Sequence, residues 1–153
     1  MVLGLGNPIL RDDVVGIKVA EQLKSRVNGD GVTVMEATLS ALDLLDIMPG
    51  FEKVIIIDAI QTGEGKVGQV FRLSPDALAD TKQVNAPHHI NFATALELGK
   101  KLSIPLPKEI VIFAIEAEDL TTISEGCTPD VERAIPVATE MIIQELQGVI
   151  AQK

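Results

Sequence analysis

Residues 53–58 read KVIIID. Three consecutive isoleucines do not alternate between a wet and a dry side, so a strand built from them is covered on both faces. Sheets of that kind are mostly parallel, and the helices that join their strands supply the two covers. With an aromatic share of 3% and no tryptophan or tyrosine, the core must be aliphatic. At 153 residues the chain suits one domain with one core and is short for two. A single domain over residues 1–153 is therefore expected.

The rest of the chain fits that demand. Val2 to Leu5 reads as a short buried strand, and Asp12 to Arg26 has helical spacing, with Val15, Ile17, Val19, Ala20 and Leu23 on one side. A second strand is expected at Val32–Met35 and a second helix at Leu39–Met48, closed by Pro49-Gly50. The KVIIID strand ends in Asp58. After a glycine-rich loop, Val67–Leu73 reads as a strand that need not be parallel, and Ser74-Pro75 starts a short turn or helix. A polar connection over 80–88 leads to a helix at Ile90–Leu102 that buries Phe92, Ala95, Leu96 and Leu98. Glu109–Ile115 is the last strand, and Glu116–Cys127 reads as an acidic loop. Thr128-Pro129-Asp130 then marks N-cap, first helical residue and first-turn acid of a closing helix, kinked at Pro136. The expected fold is α/β: a three-layer, mostly parallel five-stranded sheet with helices on both faces.

The net charge of −9 argues against nucleic acid or an anionic membrane surface as partner, since both are bound by neutralising phosphate. A single cysteine, Cys127, allows no disulfide or thiolate zinc cluster within one chain. No stretch is apolar enough to span a bilayer and no leader is visible, so a cytoplasmic location is expected.

In open α/β sheets ligands gather beyond the carboxyl ends of the strands. Three groups fall there: Asp12-Asp13, Asp58, and His88-His89 at the head of the helix before the last strand. Two carboxylates and an imidazole form an oxygen, oxygen, nitrogen set suited to nickel or zinc with positions left open. Each has a plainer role as well. An aspartate at a helix start caps it or faces its dipole, and a histidine at a helix head is commonly just solvated. Gly4-Leu5-Gly6 is no dinucleotide fingerprint, because Ile9 takes the third glycine position and the acids would repel a pyrophosphate. No G-x-S-x-G elbow is present, and the acidic surroundings of Cys127 raise its thiol pKa.

GLGNPILRDD, VIIIDAI, PHHINF and IEAEDLTTISEGCTPDVERAIP, in that order, make the chain resemble the hydrogenase maturation endopeptidases over essentially its whole length. The resemblance implies a twisted five-stranded sheet of the phosphorylase/hydrolase-like kind. It also implies removal of a C-terminal extension from the large-subunit precursor of nickel-iron hydrogenase after nickel insertion. The family's metal-contacting and catalytic side chains fall on Asp13, Asp58 and His88, with Asp12 left as helix cap and supporting charge. The nickel would arrive with the precursor, zinc or another divalent ion serving as substitute, while the acids look outward toward the cation. Whether the ion polarises the peptide carbonyl, activates water, or leaves an aspartate to act as base stays open. The tail segment resembles members serving deazaflavin-reducing or related hydrogenases.

Some features depart from the family pattern. The first strand starts at the initiator methionine, Val14 stands where many relatives have glycine, and EATLSALDLL lacks a glycine often found there. Two other readings exist: a nickel-sensing chaperone that binds the precursor without cutting it, and a peptidyl-tRNA hydrolase-like esterase suggested by VLGLGNP. The second lacks its histidine after the motif and a basic surface.

Overall fold

The KVIIID run lies at the centre of a five-stranded sheet. A computed structural model of the chain describes residues 1–27, 29, 31–79 and 92–150. Strand β3, Lys53–Ile60, is flanked by β1, Val2–Leu5, and β5, Glu109–Glu116. Outside these lie β2, Val34–Ala37, and β4, Val70–Leu73, giving the order β2-β1-β3-β5-β4. All neighbours are parallel except β4, which runs antiparallel to β5.

Double-sided burial follows as the isoleucines require. Ile55, Ile57 and Ala59 pack into a cluster with Val15, Val19 and Leu23 of helix α1, Val15–Arg26, and with Val131, Ala134 and Ala138 of α5, Pro129–Ile150. Val54, Ile56 and Ile60 face the other way, toward α2, Leu44–Ile47, α3, Pro75–Ala79, and α4, Phe92–Lys101. The molecule thus has three layers. Full burial of each large aliphatic side chain contributes about 1.5–3 kcal/mol, so β3 is the strand on which most of the core depends.

Several boundaries differ from expectation, each for a local reason. The helix expected from residue 39 forms only at Leu44–Ile47, because the Asp43 carboxylate ties the Ser40 amide and hydroxyl at 2.8 and 2.6 Å into a turn. Hydrogen bonds from Ser40 also hold the Asp43 carboxyl below its ordinary pKa. Strand β2 begins at Val34 instead of Val32. Strand β4 starts at Val70 instead of Val67, since Gly68, at φ +82°, closes a turn in which the Gln69 amide donates to the Lys66 carbonyl. In α4 the buried position is Gly99, not Leu98, which is 39% exposed. The side chains of Leu45 and Leu106 fill the space where a Cβ of residue 99 would lie. Strand β3 runs two residues past Asp58, and Glu116 belongs to β5, not to the loop after it. Helix α5 continues through Pro136 to Ile150.

Candidate functional site at the carboxyl end of the sheet

Three glycines decide how the first helix meets the sheet. A Cβ on Gly4 would lie 2.2 Å from the Gly16 carbonyl oxygen, and one on Gly16 would lie 2.2 Å from that of Leu5 and 2.5 Å from that of Ile57. A Cβ on Gly6 would lie 2.1 Å from the Asp13 carbonyl oxygen. Backbone therefore rests directly on backbone, and the 3-10 turn Asp12–Val14 is pressed onto the carboxyl ends of β1 and β3. The glycine pair serves this contact.

The two acids of that turn do different work. Asp12 is fully buried, and its carboxylate accepts from the amides of Glu118 and Asp119 at 2.9 Å and from the amide and hydroxyl of Thr128 at 2.6 and 3.0 Å. It caps neither the turn nor α1, for neither has a side-chain cap. Its role is to clamp the loop 117–128, which the Asp12 amide also grips through the Asp119 carbonyl at 2.9 Å. Inside that loop the Asp119 carboxyl is held well below its usual pKa range by the Thr122 side chain and amide and by the Thr121 amide.

Asp13 is 1% exposed, and its Oδ2 accepts from the Asn7 amide at 2.8 Å. The expected outward-looking acids are thus both buried. Asp58 is also fully buried; its Oδ1 accepts from the Ala59 amide at 2.8 Å, and it stands opposite Ala114 of β5. By strand alternation it shares a face with Ile56 and Ile60, the face covered by α2, α3 and α4. The structure therefore brings Asp13 and Asp58 to the same end of the sheet, at adjoining strands. His88 and His89 lie outside the described residues. Among the described residues, no group of three His, Cys, Asp or Glu side chains is arranged to hold a metal ion.

A fourth carboxylate escaped the sequence reading. Glu116, the β5 neighbour of Ile60, is 3% exposed. Its Oε1 accepts from the amides of Thr62 and Gly63 at 2.8 and 3.2 Å, and its Oε2 accepts from the Thr62 hydroxyl at 2.8 Å. It fixes the loop after β3 as Asp12 fixes the loop after β5. The signal was present: EIVIFAIE ends in an acid after an apolar run, just as KVIIID does.

Cys127 is held as a neutral thiol. Its thiol pKa is pushed up to about 12, first by burial, against the opposing charge of Lys18 and with further upward contributions from Glu132 and Asp12. The neutral form of a thiol is a poor nucleophile. Fold and rim together define an α/β protein of three layers with buried carboxylates at the carboxyl end of its sheet.

A family model described as hydrogenase maturation protease matches residues 17–145. The chain is 27% identical over 150 residues to the hydrogenase 2 maturation protease of Escherichia coli (strain K12), covering 96% of this chain and 90% of that protein. It is also 27% identical over 164 residues to the coenzyme F420 hydrogenase subunit delta of Methanothermobacter thermautotrophicus, covering 95% and 93%. The solved structure of the hydrogenase maturating endopeptidase HybD from E. coli superposes with a TM-score of 0.78 at 26% identity, covering 97% of this chain and 91% of that one. The chain belongs to the hydrogenase maturation protease family, and its activity is that of a hydrogenase maturation endopeptidase.

Proposed function

We propose that this endopeptidase acts in the cytoplasm on the large-subunit precursor of a nickel-iron hydrogenase and removes its C-terminal extension once nickel is in place. The nickel belongs to the substrate, and zinc or another divalent ion can stand in for it. Asp13, Asp58 and His88 recognise the ion and so bring the scissile bond to the rim.

The observation that most supports this reading is the burial of two carboxylates, Asp13 and Asp58, at the carboxyl ends of adjoining strands. Charges held away from water gain most from a counter-ion. Two carboxylates with one imidazole make a donor set that suits nickel(II) and leaves positions open. The ion supplies polarisation of the scissile carbonyl. Asp13 and Asp58 hold the substrate's metal from the sheet side, and either carboxylate can accept a proton from water as general base.

The test is to incubate the protein with the nickel-loaded precursor encoded by the same genome and follow release of the C-terminal peptide by mass spectrometry. Asp13→Asn, Asp58→Asn and His88→Gln are each expected to lower kcat/KM by about a hundredfold or more while thermal melting stays unchanged. Wild-type processing by all three would overturn the assignment, and a stable uncut complex with the wild-type protein would favour the chaperone reading.

A further inference from the structure

A cleft of ≈ 320 Å³ opens beside the rim, between β4, α3 and the loop that follows β3. Its apolar lining is Ile60, Phe71, Leu73 and Leu78, and its mouth carries Thr62, Glu64 and Gln69. Ile60 sits two residues beyond Asp58 on the same face of β3, about 7 Å along the strand. The cleft therefore lies on the same face of β3 as Asp58, one side-chain step further along the strand.

The polar groups around it answer to the protein itself. The amides of Thr62 and Gly63 donate to Glu116, and those of Glu64 and Gly65 donate to the Thr62 hydroxyl oxygen at 3.2 and 3.1 Å. Four successive amides of a glycine-rich loop, the usual material of an anion nest, are thus turned inward. The carboxylates of Glu64 and Glu116 further repel an anion. What the cleft offers to a visitor is apolar surface.

We propose that the cleft is a substrate subsite, which takes uncharged apolar side chains from an extended stretch of the substrate polypeptide beside the bond that is cut. The proposal rests on the reading that Asp58 belongs to the catalytic rim. A volume near the lower end of the ~300–1,000 Å³ range of ligand clefts accommodates roughly two or three aliphatic side chains and no folded element. Glu116 acts as a positioning residue, because its carboxylate sets the wall formed by residues 62–65. A glutamine in its place keeps one acceptor, but its NH₂ meets a Thr62 oxygen that already accepts two amides.

The experiment uses the full-length protein and the nickel-loaded precursor. Glu64→Trp and Gln69→Trp change exposed residues and place an indole at the mouth of the cleft. Val137→Trp, on the exposed side of α5 across the sheet, is the control. Both cleft variants are expected to raise KM about tenfold with kcat within about twofold of wild type, and the control to change neither. Unchanged KM in both cleft variants overturns the subsite. If the wild-type protein leaves the precursor uncut, the catalytic reading has failed, and titration still decides the cleft. A Kd for uncut precursor weakened about tenfold by the two variants supports it, and an unchanged Kd overturns it.

Discussion

Asp12 shows how far a residue's role can lie from its neighbours in sequence. An acid in the first turn of a helix reads as a cap, and nothing nearby in the chain contradicts that. Its partners, Glu118, Asp119 and Thr128, stand more than a hundred positions away. Asp58 was legible because a charge at the end of an apolar run is costly unless it has a purpose. Glu116 carries the same signature, but the acidic stretch it opens reads as a loop from its first residue, which hides its place in β5. Replacing Asp12 by alanine leaves three amides and a hydroxyl without their acceptor in the interior. Asp12→Ala is expected to cost about 3–5 kcal/mol in urea denaturation, and Asp12→Asn less, since one oxygen remains. A loss of only about 1 kcal/mol for the alanine variant would show that loop 117–128 is held by other contacts.

At the level of elements, the strands and long helices were readable because hydrophobic spacing reports burial directly. Their ends were not, because ends depend on single side chains: the Asp43 carboxylate that ties Ser40, the positive φ of Gly68, the missing Cβ of Gly99. Strand β3 makes the strongest prediction. Ile57 is fully buried between β1, β5 and the helices α1 and α5, in a layer where no flexible surface group can move in. Ile57→Ala is expected to cost about 2–5 kcal/mol. Val137→Ser, at a position 53% exposed on α5, should change stability by no more than about 0.5 kcal/mol. Paired denaturation curves check both, and a loss at Val137 as large as that at Ile57 would mean that its side of α5 is not the solvent-facing one.

Across the whole molecule, charge is sorted between the two ends of the sheet. Buried acids gather at the carboxyl end, while at the amino end Lys53 meets Glu145 at 2.5 Å and Glu109 at 3.0 Å, and Arg72 meets Glu145 at 2.8 Å. Hydrogen bonding from Arg72, and then from Lys53, outweighs partial burial and lowers the Glu145 pKa from 4.5 to about 2. A carboxyl whose pKa falls on folding adds stability above its unfolded pKa and loses it as pH drops toward the folded one. The Glu145 contribution is thus complete at neutral pH and fades between about pH 4.5 and about pH 2. Glu145→Gln should melt below wild type at pH 7, with the gap closing as pH falls through that window. A gap that stays constant would show that packing, not charge, is at stake. The sequence disclosed the layers and two of the rim acids, whereas the pairing of distant charges needed coordinates, and His88 falls outside the described residues. The clamp on Asp12 also bears on the order in which the rim can assemble. A nascent chain leaving the ribosome carries Asp12 early, yet Glu118, Asp119 and Thr128, which donate to its carboxylate, are translated in the last quarter. The turn that carries Asp13 therefore acquires its full set of hydrogen bonds only once most of the chain has been made.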